Sequence, residues 1–311
     1  MSGVLSLKPT YYEALKRLTL ELAGVKLGAD HAFLVETRLS NLVRHEGYES
    51  LNAMVEDLFK TGQTRLAVQV VSALLERDTH FYKDRASFQN FEAEILPKLY
   101  AARKGGKVKI LSFGCATGQD AYSIAMTHDR LKSDYPDMEL EVVGADYPSD
   151  SLDRARSGRY SHFDIQRGLP VRELLEYFDH APEPDSTDWI IKDSIKQKVS
   201  FQDVHLLSNL STLSQFHAVL FRGALPHYSS TAKVRVLRGL ASLVLPYGYL
   251  LLGSDEALNQ INFGFDKVEG SQGLYLRHDD TVDGTDTNAG PTHKTPNGRT
   301  HFNNKSPRKS A

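Results

Sequence analysis

The sequence lacks what several large protein classes require. It contains a single cysteine, Cys115, among 311 residues, which excludes an internal disulfide and fits a reducing cytosol. No Cys/His cluster has metal-site spacing, no signal peptide is visible, and no apolar run is long enough to span a bilayer. The formal net charge is −2, so no overall field favours nucleic acid or an anionic membrane. We therefore predict a cytoplasmic protein without a metal, a nucleic-acid partner or membrane insertion.

The sequence does contain enough apolar residues for one large or two modest domains, since 41% of its residues are hydrophobic and 24% are charged. Helical periodicity marks residues 1–60 as a small all-helical domain, and residues 61–106 as a helical connection. Strands and helices alternate over residues 107–278, which predicts an α/β sheet domain with its ligand at the strand ends. Residues 279–311 are polar, with the composition of a disordered tail.

The most informative stretch is residues 108–123, VKILSFGCATGQDAYS, which predicts a buried strand, a tight glycine turn and the start of a helix. Gly114 and Gly118 bracket the turn, where the backbone needs a positive φ or must let a ligand come close. Asp120 falls in the first helical turn. The loop has the form G-x-x-x-G with no following Lys-Ser/Thr, which excludes a P-loop. A nucleotide-type site and plain tight packing both remain open from this stretch alone.

The next predicted strand, residues 140–145 (LEVVGA), ends in Asp146. This carboxylate follows Gly118 by about 28 residues, near the distance at which such folds place an acid on ribose hydroxyls. The alternative is a turn or cap residue before Pro148.

Here the sequence resembles a known family. GCATGQDAYS is similar to the G-C-S-T-G-E-E-P-Y-S motif of the CheR family of chemotaxis-receptor glutamate methyltransferases, and GADYPSDSLDRARSGRY resembles that family's A-T-D-I-x-x-x-x-L-x-x-A-R-x-G-x-Y. The resemblance runs from about Leu18 to about Arg277. It implies S-adenosylmethionine as cofactor, a Rossmann-like methyltransferase domain and a small antiparallel insertion near residues 180–200.

A third motif carries the first departures. ERDTHFYKDRASFQNFEAEILP resembles the family's T-N-x-T-x-F-F-R-D-x-x-x-F-x-x-L-x-x-x-x-x-P, and Thr79 matches. The family Asn is Arg77 here, and the family Arg is Lys83. The resemblance places these three residues on the cofactor or at the methyl-transfer site. Lysine keeps the charge of arginine but not its planar fork, so the exchange is not conservative at a bidentate contact.

Two further motifs complete the predicted site. FRGALPHY resembles the family's C-R-N-V-x-I-Y-F: Arg222 matches, Gly223 replaces an Asn, and His227 replaces a Tyr thought to lie beside the transferring methyl. VSFQDVHLL resembles V-x-F-x-x-x-N-L-L, with Leu206 matching and His205 at the cofactor-contacting Asn. The resemblance thus implies catalytic roles for Lys83, Arg222 and His227. It implies cofactor binding by Arg77, Thr79, Lys83, Gly114, Gly118, Asp120 (shorter than the family Glu), Asp146, His205, Leu206, Arg222 and Gly223. The two histidines could instead make only local hydrogen bonds.

The resemblance also implies a partner. GVKLGADHAFLVETRLSNLVRHEGY is similar to a basic helix that meets the acidic helical bundle of the receptor in that family, which makes Arg38 and Arg44 candidate contacts. A solvated charged face is the alternative. Residues 182–188 (PEPDSTD) contain no glycine, unlike the insertion loop of members that grip a tethered receptor peptide, so we expect no tether binding.

Transfer of a methyl group to a glutamate carboxylate needs no general base, because the acceptor is already ionised near neutral pH. The leading function is therefore methylation of receptor glutamates with S-adenosylmethionine. A catalytically degenerate relative acting as a binding or regulatory module is the alternative, and a methyltransferase for another acceptor is a third possibility. The fold does not choose among them.

Overall fold

A computed structural model describes residues 7–28, 32–75, 78–103, 106–208, 210, 213–258 and 263–278. Arg77 and the predicted tail, residues 279–311, lie outside the described residues. The helices are α1 (Pro9–Ala23), α2 (Ala32–His45), α3 (Leu51–Thr61), α4 (Thr64–Leu74), α5 (Arg85–Asn90), α6 (Leu96–Arg103), α7 (Gln119–Leu131), α8 (Asp150–Ser157), α9 (His162–Gln166), α10 (Val171–Tyr177), α11 (Asp193–Lys196) and α12 (Ser230–Leu243). The strands are β1 (Lys107–Phe113), β2 (Glu139–Asp146), β3 (Arg159–Tyr160), β4 (Phe178–His180), β5 (Trp189–Ile191), β6 (Val199–Asp203), β7 (Phe216–Leu220), β8 (Val244–Leu251), β9 (Phe265–Lys267) and β10 (Leu274–Arg277).

The first four helices form one bundle with its own core. Ser50 caps α3 by accepting a hydrogen bond from the Ala53 N–H at 3.1 Å, and Gly62 ends that helix in the left-handed region. Apolar side chains from all four helices are buried together, among them Leu15, Leu39 and Met54. The fourth helix contributes Leu66, Val70 and Leu74 to this core. The bundle therefore continues to Leu74, whereas we predicted a boundary at residue 60.

A long helical segment leads from the bundle to the sheet. It consists of α5, a π-helical turn at Phe91–Ile95 and α6. One side of this segment is buried against the sheet domain through Phe88, Phe91 and Ile95. The segment covers one face of the sheet and brings residues 78–84, which precede it, to the sheet edge.

The central sheet has seven strands in the order β6-β2-β1-β7-β8-β10-β9. The strands from β6 to β8 run parallel, and β10 is antiparallel to both of its neighbours. Most residues of β1, β2 and β7 are buried, as expected for parallel strands covered by helices on both faces. Strand order reverses beside β1, and a ligand site is expected at the carboxyl ends there. The predicted α/β fold with a helical N-terminal part is confirmed.

A second, small sheet has the order β3-β5-β4 and is antiparallel. It spans residues 159–191, so it begins earlier than the region near 180–200 where we expected an insertion. The stretch around Val199 and Phe201, which we read as part of that insertion, instead forms β6 and pairs with β2 at the edge of the central sheet. The Phe201 ring packs against the glycine loop after β1 and so belongs to the main core.

Candidate functional site

A cavity of about 330 Å³ opens at the carboxyl ends of β2, β1 and β7. Its volume lies at the lower end of the range of about 300–1,000 Å³ typical of small-molecule sites. The parallel strands end at one edge, so loops that are distant in sequence meet there. Eight of the predicted site residues line this cavity: Lys83, Gly114, Asp146, His205, Leu206, Arg222, Gly223 and His227.

The glycine loop after β1 is held by hydrogen bonds to the end of β2. The N–H groups of Gly114 and Cys115 donate to the Ala145 carbonyl at 2.7 and 3.2 Å, and the Ala116 N–H donates to Asp146 Oδ2 at 2.6 Å. These amides face the neighbouring strand, so they are not presented as a cradle for a phosphate. The loop therefore suits a nucleoside ligand whose recognition does not depend on a phosphate.

Gly118 illustrates the packing alternative that the sequence left open. Its φ is +88°, and a Cβ built there would lie 2.9 Å from the Phe201 ring and 3.0 Å from Ala155. Gly118 does not line the cavity. A side chain would collide with the neighbouring core, so this glycine permits close packing of loop, β6 and α8.

Asp146 lies where the sequence predicted a ribose-binding acid. Its Oδ1 accepts the Tyr147 N–H at 2.6 Å, and its Oδ2 accepts the Ala116 N–H at 2.6 Å. The residue is buried, with 8% of its surface exposed, yet it lines the cavity. Asp146 both fixes the loop and faces the ligand space.

Arg222 is the most buried cation of the site, with 2% of its side chain exposed. Its guanidinium pairs with Asp120, donates to the Lys83 carbonyl and stacks over the Phe88 ring. Asp120 also accepts from Ser112 Oγ at 3.4 Å and does not line the cavity, so in this structure it holds Arg222. Arg222 Nε is buried without a hydrogen-bond partner among the described residues. An unpaired buried donor is uncommon in folded proteins, and Arg222 also lines the cavity.

Lys83 extends along the same wall of the cavity. Its Nζ donates to the Asp78 carbonyl at 2.6 Å and lies 3.8 Å from Asp78 Oδ2. The Asp78 carboxylate accepts from Arg167 at 2.6 Å, and this hydrogen bond lowers the pKa of Asp78 despite partial burial. Asp78 lines the cavity as well, although no sequence motif pointed to it.

Both histidines line the cavity and contact the end of α1 or the residues that follow it. His205 Nδ1 accepts the Leu207 N–H at 3.1 Å, so its proton lies on Nε2, which donates to the Leu22 carbonyl at 2.6 Å. His205 thereby ties the end of α1 to the sheet domain. The His227 carbonyl accepts the Lys26 N–H at 2.9 Å, and the imidazole lines the cavity.

Glu256 is a positioning residue whose role sequence reasoning missed, although its identity matched the family motif. It is 5% exposed and accepts three backbone N–H groups: Gly223 and Leu225 at 2.8 Å each, and Gly253 at 2.7 Å. One buried carboxylate thus fixes the loop after β7. A glutamate three residues after the glycine that ends a predicted strand was the available signal.

Besides Gly118 and Asp120, two more predicted cofactor residues are not placed at the cavity. Thr79 is half-buried but does not line the cavity, although its neighbours Asp78 and Lys83 do. Arg77 lies outside the described residues. Both stay predictions.

The residues present fit S-adenosylmethionine. Phe113, Leu206 and Phe221 give the cavity an apolar wall for an adenine, and Asp146 lies where a ribose would need acceptors. The unpaired Arg222 Nε and the Lys83 ammonium suit the carboxylate of an amino-acid moiety. Over the described ranges, no group of His, Cys, Asp and Glu side chains could hold a metal ion. No helix there is long and apolar enough to cross a membrane.

Comparison with known proteins gives consistent results. A family model described as CheR methyltransferase, SAM binding domain, matches residues 77–274. Chemotaxis protein methyltransferase 1 of Pseudomonas aeruginosa is 30% identical over 269 residues, covering 86% of this chain and 97% of that protein. Chemotaxis protein methyltransferase Cher2 of Pseudomonas putida is 30% identical over 262 residues, covering 83% and 94%. Chemotaxis protein methyltransferase 1 of Vibrio cholerae is 30% identical over 257 residues, covering 82% and 91%.

Proposed function

This chain belongs to the CheR methyltransferase family with S-adenosylmethionine as its cofactor, and we propose that it methylates glutamate side chains of chemotaxis receptors in the cytoplasm. The observation that carries the proposal is the convergence of eight predicted residues on one cavity at the ends of β2, β1 and β7. The matched relatives are methyltransferases, which favours this function over the catalytically degenerate alternative.

This reaction requires the protein to align the glutamate carboxylate with the methyl group of the cofactor, and it requires no proton transfer. When bound, S-adenosylmethionine supplies a methyl group on a sulfonium, which an ionised carboxylate can displace in line. Asp146 would hold the ribose, and the apolar wall would enclose the adenine and exclude water. Arg222, fixed by Asp120, would orient the carboxylate of the cofactor's amino-acid moiety. Lys83 and His227 border the remaining space, where the glutamate carboxylate would approach.

The first test is titration calorimetry of the purified protein with S-adenosylmethionine and S-adenosylhomocysteine. We expect binding in the micromolar range for both, because the cavity retains its acid, its cations and its apolar wall. Transfer of a labelled methyl group to a receptor cytoplasmic fragment follows, with the fragment's glutamates changed to alanine as the negative control. No detectable binding of either nucleoside would overturn the proposal and leave a protein-binding role.

A receptor helix would approach the site along a groove of about 790 Å³ between α2, α4 and the start of α8. Asp78 and Leu75 line both this groove and the cofactor cavity, so the groove adjoins the cavity. Arg38 is half-buried at the groove and donates to the Leu74 carbonyl at 2.8 Å. Arg44 is exposed and contacts Asn41 of its own helix at 2.5 Å. The two candidate arginines therefore have different surroundings.

This difference gives a test of receptor docking. Arg44→Glu places a repulsive charge on an exposed face, so we expect the KM for an acidic receptor fragment to rise several-fold at low salt while cofactor affinity stays the same. Lys60→Glu is the matched charge-reversal control, because Lys60 is an exposed residue of α3. If both changes raise the KM equally, the effect comes from the overall charge of the protein, and Arg44 is not part of the docking surface.

We propose that this protein binds no receptor tether. Arg159 pins the loop of residues 182–188 through Glu183 at 2.9 and 3.1 Å, Asp188 at 2.8 Å and Ser186 at 3.1 Å. A loop held by its own ion pairs offers few free groups to a peptide strand. Calorimetry with a receptor C-terminal pentapeptide tests this, and measurable affinity would contradict it.

A further inference from the structure

Residues 22–26, which we call the strap, form part of the cavity wall although they belong to the N-terminal part of the chain. The strap consists of the last two residues of α1 and the three that follow. Two of its side chains, Ala23 and Val25, line the cavity, and both are buried. The ligand space at the sheet edge is therefore partly enclosed by the end of a bundle helix.

The strap is attached to the sheet domain on two sides. After β6, His205 Nε2 donates to the Leu22 carbonyl at 2.6 Å. After β7, Tyr228 pairs with Val25 of the strap as an isolated antiparallel bridge. The sheet order β6-β2-β1-β7 places β2 and β1 between these two attachments. The strap therefore crosses the strand ends at which the cavity opens.

Two backbone hydrogen bonds hold the bridge after β7. The Ser229 N–H donates to the Gly24 carbonyl at 2.9 Å, and the Lys26 N–H donates to the His227 carbonyl at 2.9 Å. These bonds flank the bridged residues on both sides, which makes those residues a non-hydrogen-bonded antiparallel pair. In such a pair the Cα atoms lie about 4.5 Å apart and the side chains are close together.

Gly24 allows the strap to lie directly on the sheet domain. Its φ is +70°, and a Cβ built there would lie 2.6 Å from Ala232 Cβ and 2.8 Å from Leu207 Cδ1. The Ala232 Cβ is fixed to the backbone in the first turn of α12, so it cannot turn aside as the end of a long side chain can. A side chain at position 24 would therefore hold the strap away from α12.

The apolar contact made by the strap is small. Ala23, Val25, Val71 and Tyr147 form a buried cluster of their own, separate from the bundle core and from the two clusters of the central sheet. Release of the strap would break three hydrogen bonds and expose this small cluster, while the larger cores stay intact. Segments with few buried contacts are the ones that open locally without global unfolding.

We propose that the strap is a gate for the cofactor, which opens to admit S-adenosylmethionine or release S-adenosylhomocysteine and closes over the bound ligand. This inference rests on the proposed function. Leu75 and Asp78 line both the cavity and the groove between α2 and α4, so a receptor helix in that groove would cover this side of the cavity. Ala23 and Val25 do not line the groove. The gate therefore serves a side of the cavity that a docked receptor leaves free.

Opening of the strap is tested without ligand, by the rate at which a thiol reagent labels the Val25→Cys protein. Val43→Cys is the matched control, because Val25 is 7% exposed and Val43, in the bundle core, is 6% exposed. The native Cys115, 1% exposed, reports global unfolding in both proteins. We expect the thiol at position 25 to react about tenfold faster than the thiol at position 43, because local opening costs less than unfolding of the bundle. Equal rates would overturn the inference.

Passage of the ligand is tested by locking the strap with a disulfide between Val25→Cys and Tyr228→Cys, whose expected Cα separation suits such a bond. We expect oxidation to slow association and dissociation of S-adenosylhomocysteine by about tenfold or more and to change its Kd by less than about threefold, because a gate controls rates. The reduced protein is the reference, and the oxidised Val25→Cys protein controls for Cys115. Unchanged rates in the locked protein would show that the ligand passes elsewhere and would overturn the inference.

Gly24→Ala tests the gate in the opposite direction. The added Cβ meets Ala232, so we expect S-adenosylhomocysteine to dissociate about tenfold faster. Gly62→Ala is the matched control, because Gly62 also ends a bundle helix, at φ of +64°, with no atom within 4 Å of a built Cβ. Equal dissociation rates in the two variants would contradict closure by the strap. If the unaltered protein bound no S-adenosylhomocysteine, the proposed function would fail, whereas the labelling comparison would still measure opening of the strap.

Discussion

The centre of the cavity and its flanks differ in how closely they follow the family pattern. The centre is the glycine loop after β1 together with Asp146 at the end of β2. The flanks are residues 78–84, residues 204–207 after β6, and residues 221–228 after β7. In the centre, Gly114 and Asp146 match the family. The Gly114 N–H donates to the Ala145 carbonyl at 2.7 Å, and the Asp146 carboxylate accepts the Ala116 N–H at 2.6 Å. The departures that the structure describes at the cavity all lie in the flanks: Lys83, His205, Gly223 and His227.

This difference follows from the kind of contact each part makes. The Asp146 carboxylate accepts two backbone N–H groups at fixed positions, and a side chain of another shape could not accept both from the same place. The flanks are built from longer side chains on separate segments, so a group lost on one segment can be replaced from another. The Lys83 side chain, which comes from the segment before α5, lies beside Gly223 in the loop after β7.

The largest effect is expected from breaking the scaffold of the β7 flank. Glu256→Ala leaves three backbone N–H groups without their acceptor, and at about 1–3 kcal/mol per unsatisfied buried group we expect a loss of about 3–5 kcal/mol in the free energy of unfolding. Denaturant unfolding measures it. Glu269→Ala, at an exposed position, should change little. A loss below about 1 kcal/mol would mean that water satisfies these amides.

The next effect concerns the stability of the sheet domain away from the cavity. His128 of α7 is buried and bonded to the Tyr100 hydroxyl at 2.6 Å, and burial lowers its pKa from 6.5 to about 4. The folded state therefore favours neutral His128. Its contribution is complete above pH 6.5 and is lost as the pH falls toward 4, amounting to about 3 kcal/mol at the lower limit.

The measurement for His128 is the free energy of unfolding between pH 7 and pH 4. His128→Gln can still accept from Tyr100 but does not titrate, so the decline over this range should become shallower. His45→Gln, at an exposed site, should leave the decline unchanged. The same slope in the His128→Gln protein would show that other groups cause the acid instability.

A change at the centre should remove cofactor binding. Asp146→Ala eliminates the acceptor of two backbone amides and the expected ribose contact, so we expect S-adenosylhomocysteine affinity to fall by about 100-fold or more. Asp203→Ala is the matched control, because Asp203 pairs with Asp146 across β2 and β6 but is exposed. Unchanged affinity in the Asp146→Ala protein would remove this residue from the cofactor site.

The smallest effect should come from the β6 flank. His205→Ala removes the link to Leu22 and the contact of the imidazole with the Tyr147 ring at 4.9 Å, which loosens the wall formed by Ala23 and Val25. We expect cofactor affinity to fall by about fivefold, since one partly exposed hydrogen bond contributes about 1 kcal/mol. His162→Ala on α9 is the control. A loss as large as that of Asp146→Ala would mean that His205 contacts the cofactor directly.

Much of the fold followed from local pattern. The alternation of apolar runs and glycine turns predicted the parallel sheet, and Asp146 was identified as the acid at the end of the second strand. The extent of the helical bundle was not readable, because α4 has an apolar face like any connecting helix and only its partners assign it to the bundle. The assignment of Val199 and Phe201 failed for a related reason, since a short apolar strand does not state which sheet it joins.

The site shows the same division at the level of single side chains. Residue identity and spacing named the groups that could meet a ligand, because motif positions at strand ends converge whatever the rest of the chain does. Spacing could not tell that Gly118 serves packing, that Asp120 holds Arg222, or that Asp78 enters the cavity wall.

The chain's residues alone establish the family, the cofactor class and the strand that carries Asp146, because these depend on local order along the chain. Three contacts depend on the packing of distant segments. They are the approach of Lys83 Nζ to position 223, the hydrogen bond from His205 to the Leu22 carbonyl, and the hydrogen bonds of three backbone amides to Glu256. Steric fit and hydrogen-bond direction depend on where distant groups lie relative to one another in the folded chain. These contacts therefore cannot be read from residue order and spacing.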